Sequence, residues 1–378
     1  MKSFFRVLGL LSAVLLFCGA GDKNEDVVYI GAAGPFTGDH AYAGVGMLQG
    51  VQMAVEDANI KGPVFGNTKV KLLSLDDQHS PAQAVLASHK FVANPDVVGV
   101  VGHFNSSCTM PTSAIYHEAR LVHITPASSN PEISRQGFDT FFRVCATDDI
   151  QGPAAALFAF SKLGVRKIAI IDDRTTYGHG LAMEFEKKFR ELGGEILSRD
   201  GVTQGEKDFT PLLTKIKSER PELIFFGGIY PEFSLLIKGS KKLGLESPWM
   251  GGDGVYDVVL IKLATPKFAE GTYATMLGAD PRAVPEAKDF VARYEARYGE
   301  IGSFSTYGYD AANVLIEAIR RAGTKDRAAV LREVRSTKDF RGVLGLINFD
   351  EKGDVVGQSI GIYKVENGKF VFIEEAKP

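Results

Sequence analysis

Short branched or aromatic runs alternate with helical patterns along most of the chain, and this alternation constrains the fold more than any other feature. The runs cover residues 27–30, 70–75, 97–101, 122–124, 167–171, 223–226 and 273–277. Between them apolar residues recur at helical spacing, as at Met47, Val51 and Val55. Strands that alternate with helices of this length form βαβ units, so we predict an α/β fold with doubly wound, mainly parallel sheets.

Local signals predict where several elements begin. Ser80-Pro81 and Thr210-Pro211 each place a capping hydroxyl before a proline that suits the first helical turn. Near the C-terminus, Asn367-Gly368 separates two apolar runs, 360–365 and 370–373, which predicts a tight hairpin.

The chain length of 378 residues favours two globular domains over one. The segment 143–149 ends one block of strands, and a new helix is predicted near Gln151. We therefore expect a first lobe before this point, a second lobe after it, and a return of the chain near residues 276–280.

The N-terminus has the pattern of a secretory signal. Lys2 and Arg6 precede the apolar run 7–17, which is too short to span a bilayer, and small residues follow. We predict a signal peptide over residues 1–20 and an exported mature protein. The sequence before Cys18 also resembles a lipoprotein processing site with a bulky Phe17, so a lipid anchor at Cys18 is the alternative.

Composition excludes several classes of protein. Lys plus Arg number 43 against 46 Asp plus Glu, a balance that disfavours a nucleic-acid partner. Export would leave Cys108 and Cys145, which are too few for a disulfide scaffold and which we expect to be unpaired.

Catalytic motifs are absent from the sequence. It contains no Gly-x-Ser-x-Gly, no phosphate-binding loop and no His-Glu-x-x-His. Gly44, Gly46 and Gly50 lack the spacing and the preceding strand of a dinucleotide fingerprint, so we interpret them as helix-packing glycines. Separate structural roles are expected for three histidines without the spacing of metal ligands: His103, His117 and His123. We therefore predict no enzyme activity, no metal and no cofactor.

Hydroxyl groups follow two successive predicted strands. Ser106 and Ser107 come after the strand 97–101 and precede a helical stretch, and Ser128 and Ser129 follow the next strand. These serines either cap local structure or, with the backbone N–H groups at a helix start, bind a carboxylate. Because neighbouring strand ends meet at one crevice of an open α/β sheet, two such turns favour a small-molecule site.

A series of motifs in a fixed order runs through the whole mature chain. They are Gly34-Pro35-Phe36-Thr37-Gly38, Asp76-Asp77, Gly102-His103 with Ser106-Ser107, Ile124-Thr125-Pro126-Ala127, Gln151-Gly152-Pro153, Asp173 with Tyr177-Gly178, residues 205–209, Gly227-Gly228 with Pro231-Glu232, and residues 348–354. In this order they resemble the type I periplasmic solute-binding proteins of ABC transporters, in the leucine/isoleucine/valine-binding branch. The resemblance implies two α/β lobes joined by a three-segment hinge, with lobe 1 at 21–147 and 278–356 and lobe 2 at 148–277 and 357–378.

The resemblance also implies how an amino-acid head group would be held. The ligand α-carboxylate would lie on Ser106 and the backbone at Ser129. The α-ammonium would lie on the Ala127 carbonyl, the Ser129 hydroxyl and the Asp253 carboxylate. Each buried charge of a zwitterion needs such a partner. An ordinary Asp-Gly turn is the other interpretation of Asp253.

The chain departs from that branch at several of these positions. Ser129 stands where the branch has threonine, Asp253 where it has glutamate, and Ile229 where it has tyrosine. A disulfide of the branch, between the positions of His79 and Asn105, is lost here. The head-group chemistry is preserved, whereas Ile229 changes the wall that faces the ligand side chain.

Apolar walls without a charge are expected from Phe104, Tyr177 and Ile229, and from Tyr42 and Tyr307 on loops, although Tyr307 could instead lie on the buried face of a helix. We therefore expect an exported, monomeric periplasmic receptor that binds a small neutral, branched-chain L-amino acid and delivers it to an ABC permease. A receptor for amides or urea-like molecules on the same fold is the main alternative, and an exported enzyme is another.

Overall fold

The computed structural model describes residues 26–278 and 280–376. The predicted signal peptide over residues 1–20, with Cys18, lies outside the described residues.

Fourteen strands can be traced in the described part of the chain. They are β1 Val27–Gly34, β2 Lys69–Asp76, β3 Val97–Val101, β4 Val122–Thr125, β5 Phe141–Arg143, β6 Lys167–Asp172, β7 Glu195–Gly201, β8 Leu223–Gly227, β9 Trp249–Gly251, β10 Tyr273–Met276, β11 Phe340–Gly342, β12 Gly345–Ile347, β13 Ile360–Glu366 and β14 Lys369–Ala376. Every strand predicted from the sequence is present. Five short or half-buried strands, β5, β7, β9, β11 and β12, gave too weak a pattern to be predicted.

Helices separate most of these strands. They are α1 Ala41–Ile60, α2 Pro81–Ala93, α3 Ser106–Glu118, α4 Glu132–Arg135, α5 Asp148–Ser161, α6 Thr176–Glu191, α7 Thr210–Glu219, α8 Tyr230–Leu243, α9 Val258–Ala264, α10 Pro266–Ala269, α11 Lys288–Tyr298, α12 Ser305–Ala322 and α13 Arg327–Arg335. Short 3₁₀ turns lie at Asp253–Val255, Pro281–Ala283 and Pro285–Ala287.

The strands form two separate sheets and a small hairpin. The first sheet has the order β2-β1-β3-β4-β5 and is parallel throughout. The second has the order β14-β13-β10-β9-β8-β6-β7 and is parallel from β10 to β7, with β13 and β14 added antiparallel at one side. The predicted doubly wound α/β class is confirmed. Strand order reverses between β1 and β3 and again between β6 and β8, and ligands of such sheets bind at these switch points.

The chain passes between the two sheets more than once. It leaves the first sheet after β5 and builds the second from β6 to β10. It then returns to form α12 and α13, which pack on α1, β3 and β4, before adding β13 and β14 to the second sheet.

Close packing explains the glycines of α1. A Cβ on Gly44 would lie 2.2 Å from the Pro35 carbonyl oxygen, and one on Gly50 would lie 2.0 Å from the Ser305 carbonyl oxygen on α12. Their interpretation as helix-packing residues is confirmed. The glycines let α1 approach its neighbours at backbone distance.

Two predicted local signals hold and two are wrong. The Ser80 hydroxyl accepts a hydrogen bond from the Gln83 N–H at the start of α2, and Asn367-Gly368, both at positive φ, joins β13 to β14. Thr210 does not cap α7: it is the first helical residue, and the Asp208 carboxylate accepts its N–H instead. Helix α5 begins at Asp148, three residues before the predicted start at Gln151, because the extended Thr147 already turns the chain into it.

Cys108 and Cys145 are buried, free thiols, and burial raises the pKa of each. Across residues 26–278 and 280–376, we find no helix with the length and apolar character needed to cross a bilayer.

Candidate functional site

The two predicted hydroxyl-bearing turns lie side by side at the carboxyl ends of β3 and β4. Ser106 is the first residue of α3, and its Oγ accepts a hydrogen bond from the Asn130 N–H at 3.4 Å. Ala127, Ser128 and Ser129 are buried in the turn that follows β4. Because β3 and β4 are parallel neighbours, both turns open at the same edge of the sheet.

The two serines of the second turn have different surroundings. The Ser128 hydroxyl lies 2.7 Å from the Thr109 Oγ1 and donates to the Phe104 carbonyl at 3.0 Å. The Ser129 hydroxyl is buried without a well-formed hydrogen bond among the described residues. Ser128 therefore holds the turn in place, whereas the Ser129 hydroxyl faces the Asp148 carboxyl and lowers its pKa.

Asp253 reaches the site from the second sheet. It opens the 3₁₀ turn after β9 and is 4% exposed. The Tyr177 hydroxyl donates to its Oδ1 at 2.8 Å, and the Gly254 N–H donates to the Tyr177 oxygen at 3.0 Å. Burial raises the pKa of the Asp253 carboxyl to about 6, because this environment disfavours an isolated negative charge.

Asp148 and Gln151, in the first two turns of α5, are site residues that the sequence reasoning missed. Both are fully buried, and neither carboxylate oxygen of Asp148 has a well-formed hydrogen bond within the described chain. Burial raises the pKa of Asp148 well above its ordinary value, and the charge of Asp253 raises it further. The position of this acidic residue just before Gln151-Gly152-Pro153 could have identified it as a site residue. The helix was predicted to start near Gln151, however, which left Asp148 outside it.

The side chains of Tyr177 and Gln151 lie close together beside Gly252. A Cβ at this position would lie 2.6 Å from the Tyr177 hydroxyl oxygen and 2.9 Å from the Gln151 Oε1. The first sheet meets the same helix as Tyr177, since Asn130 Nδ2 donates to the Thr176 carbonyl at 2.7 Å. The two sheets therefore share one buried polar cluster, which we call the acidic cluster: Ser129, Asp148, Gln151, Tyr177 and Asp253.

Arg143 supports the serine turn from behind. It is fully buried, and its guanidinium donates to the carbonyls of Ser128 at 3.0 Å and Asn130 at 2.9 Å and to the Ser134 hydroxyl at 2.8 Å. Its Nε donates to the Asp354 carboxylate at 2.5 Å. With these bonds Arg143 positions the turn. We call Arg143 and its partners Ser128, Asn130, Ser134 and Asp354 the arginine cluster.

Only some of the residues predicted to form the apolar wall lie close to one another in the structure. Ile229 precedes α8 and is 8% exposed, and a Cβ on Gly254 would lie 3.0 Å from its Cγ2 and 2.9 Å from the Tyr177 ring, which places both at the acidic cluster. Phe104 packs edge to face on Phe304 with ring centroids 4.8 Å apart.

Two tyrosines predicted to lie on loops lie in helices instead. Tyr42 is in α1 and Tyr307 is in α12. The Tyr307 hydroxyl is buried and donates to the Leu277 carbonyl at 2.7 Å, which is the packing role left open above.

A cavity of about 760 Å³ opens beside the acidic cluster. It is lined by aromatic residues such as Tyr256, Tyr363 and Phe370 and by charged residues such as Asp257 and Lys262. Of the predicted site residues it contains Tyr307 alone. The unpartnered polar groups, and not this cavity, therefore define the candidate site.

A comparison with known proteins gives the same class as this fold and site. The family model described as periplasmic binding protein matches residues 27–369. An amino acid binding protein of Pseudomonas aeruginosa is 35% identical over 371 residues, covering 98% of each chain. A Leu/Ile/Val-binding protein homolog of Brucella suis is 35% identical over 368 residues, covering 97% of each.

Solved structures agree with these relatives. A leucine binding protein from Thermotoga maritima superposes with a TM-score of 0.87 at 33% identity, covering 93% of this chain and 99% of that one. A branched-chain amino acid transporter substrate binding protein from Streptococcus pneumoniae, solved with isoleucine, gives 0.85 at 26% identity, covering 93% and 100%.

Two parallel sheets with a polar cluster between them define a solute-binding protein. The chain belongs to the periplasmic binding protein family, and it is similar to the branch that contains the leucine/isoleucine/valine-binding proteins. The predicted family is confirmed.

Proposed function

We propose that the protein captures a small neutral L-amino acid with a branched aliphatic side chain between its two sheets and delivers it to an ABC permease. The acidic cluster carries the proposal, because Ser129 and Asp148 are buried there without well-formed hydrogen bonds inside the protein. Buried polar groups in native proteins almost always have partners, and a bound zwitterion would supply them.

The ligand carboxylate binds at the first sheet in this proposal. Ser106 and the backbone at Ser129 face the start of α3, where free N–H groups favour a negative charge. Arg143 keeps the Ser129 turn in position through its bonds to the carbonyls on either side.

The ligand ammonium binds between the sheets. It is received by the Ala127 carbonyl, the Ser129 hydroxyl and the carboxylate of Asp253, and we add Asp148 to this set. The charge of Asp253 raises the cost of ionising Asp148 when no cation is present. A positive charge between them removes that cost, so the site selects ligands that carry an amine.

Closure around the ligand follows from the position of these groups. Asp253 and Tyr177 belong to the second sheet, and Ser106 and Ser129 belong to the first, so the full set of contacts exists only when the sheets meet. We propose lobes of 21–147 with 278–356 and 148–277 with 357–378, which move about the three connecting segments.

The remaining proposals concern the setting of the protein. Residues 1–20 would direct export to the periplasm, with lipidation at Cys18 as the alternative. The protein would act as a monomer without catalytic turnover. The family membership and the transporter names of similar proteins support the permease as its partner.

Thermal unfolding with matched ligands tests the proposal. Leucine at a hundredfold excess over its dissociation constant should stabilise the protein by about 2.7 kcal/mol. Leucinamide and 3-methylbutylamine lack the carboxylate, 4-methylpentanoate lacks the amine, and each should shift the unfolding temperature far less. Equal shifts from leucine and these analogues, or a shift from urea or simple amides with leucine inactive, would contradict the zwitterion site.

A further inference from the structure

Two histidine rings stack at the rim of the first sheet. His40 directly precedes α1, and His79 lies in the turn between β2 and α2. Their ring centroids are 4.1 Å apart and the ring planes differ by 28°. Each ring is half-buried, and the Nδ1 atom of each is buried without a hydrogen-bond partner among the described residues.

Residues of the second sheet close over this pair. The Gln204 amide, in the loop after β7, lies within hydrogen-bond distance of His79 Nε2, with its nitrogen at 2.9 Å and its oxygen at 3.2 Å. Tyr230, at the start of α8, presents its ring edge to His40 and donates its hydroxyl to the Asp39 carbonyl at 2.7 Å. The ring pair therefore joins the two sheets.

The surroundings of His40 disfavour its protonation. A protonated imidazole donates from both nitrogens, and Nδ1 of each ring has no acceptor. Burial, His79 and the nearby Lys207 together lower the pKa of His40 to about 3. The other charged groups on the surrounding segments are Asp39, Asp76, Asp77, Glu206, Asp208 and Glu232. Five of these carboxylates already accept backbone N–H groups: Asp76 from Phe36 and Gln78, Asp77 from His79, Glu206 from Thr203, Asp208 from Thr210, and Glu232 from Gly205.

We propose that the stacked His40–His79 pair is a pH-dependent latch that holds the two sheets together around the ligand while His40 is neutral and releases them when His40 is protonated. The inference rests on the proposed function, because ligand retention is what the latch controls. It adds a second set of residues, none of them in the acidic cluster, that sets the affinity.

The size of the effect follows from the two states of His40. In the open form the ring faces water and has an ordinary pKa of 6.5, whereas in the closed form its pKa is about 3. Acid therefore stabilises the open form alone. Between pH 7.5 and 5.5 this difference weakens ligand binding about tenfold.

Calorimetric titration with leucine at pH 7.5, 6.5 and 5.5 tests the latch. The variant His40→Phe keeps a stacked ring but removes the titration, so its loss of affinity over this range should be about tenfold smaller than that of the wild type. His89→Phe makes the same change at an exposed site on α2 and should behave as the wild type. Any pH dependence that comes from Asp148 or Asp253 remains in all three proteins and cancels in the comparison.

Lys207→Gln provides a second measurement at an exposed residue whose replacement leaves the core intact. Removing this charge raises the closed-form pKa of His40 only slightly from about 3, which lies far below pH 5.5, so the tenfold dependence between pH 7.5 and 5.5 should remain. If His40→Phe keeps the full wild-type pH dependence, the latch is wrong although leucine still binds. Failure of leucine to bind the wild type at every pH overturns the proposed function and the latch with it.

Discussion

The arginine cluster and the acidic cluster are both polar, but the buried charged groups Arg143 and Asp148 differ in their hydrogen bonding. Arg143 is fully buried and donates to a carboxylate, a hydroxyl and two carbonyls. Asp148 is equally buried and has no well-formed hydrogen bond from either oxygen among the described residues. A satisfied buried network stabilises the fold, whereas an unsatisfied one is costly in the protein alone and gains from a ligand. The comparison therefore distinguishes a residue that supports the fold, Arg143, from a residue that is suited to bind a ligand, Asp148, only five positions along the chain.

Replacement of Arg143 by methionine tests the stabilising half of this comparison and should have the largest effect. It leaves Asp354 without its buried partner and two carbonyls without donors, so the free energy of unfolding should fall by about 3 to 5 kcal/mol. Urea unfolding measures it. Arg135→Met removes an arginine whose ion pairs are exposed and should change stability by about 1 kcal/mol or less. Equal effects would show that burial does not distinguish the two arginines.

Asp253→Asn tests whether the acidic cluster binds the ligand. Leucine affinity should fall by about 2 kcal/mol or more, mainly through faster release, because the ammonium loses a charged partner. Stability of the ligand-free protein should be unchanged or higher at pH 7, since the raised pKa of about 6 shows that the folded protein disfavours the charge. Titration calorimetry and unfolding of the same sample measure both. Asp289→Asn, at an exposed carboxylate, is the control. A large loss of stability with intact affinity would make Asp253 part of the supporting framework.

Ile229→Tyr tests whether Ile229, in the apolar wall, contacts the ligand side chain. The larger ring should crowd the ligand side chain and penalise leucine relative to alanine by about 1 to 3 kcal/mol. Competition binding of the two amino acids measures the ratio. Leu86→Tyr, on an exposed face of α2, should leave it unchanged. An unchanged ratio in Ile229→Tyr would remove Ile229 from the pocket.

Proton release on binding is the smallest predicted effect. The pKa of Asp253 is about 6 and that of Asp148 is also raised, so near pH 6 the ligand-free site holds protons that an ammonium would displace. Calorimetry in two buffers of different ionisation enthalpy should show net release of up to about one proton. Asp148→Asn should reduce it. Proton uptake would place the ammonium elsewhere.

The same two carboxyls predict a trend in stability with pH. Their pKa values are higher in the folded than in the unfolded protein, so they stabilise the folded form below about pH 4. This contribution is lost as the pH rises through 6. In unfolding experiments Asp253→Asn should show a weaker dependence of this sign than the wild type.

Sequence patterns predicted the strands and the serine turns well, because these depend on residues close together in the chain. Val97 to Val101 reads as a buried parallel strand from its composition, and Ser106 follows it directly. Asp148 could not be assigned in this way, because its raised pKa depends on burial and on the charge of Asp253, which lies far along the chain. Tyr307 was misplaced for a related reason: its buried position depends on contact with Leu277.

The helix α12 has a consequence for the synthesis of the chain. All five strands of the first sheet lie before residue 144, but one face of that sheet packs on α12, where Leu315 fills the space above Gly99. Helix α1 packs on β1 and β2, but the part of that face around Gly99 has no such cover until residues 305–322 have been made. The first sheet is thus the earliest part of the described chain to be produced and among the last to be completed, and this apolar part of its face waits for α12 while residues 144–304 are made.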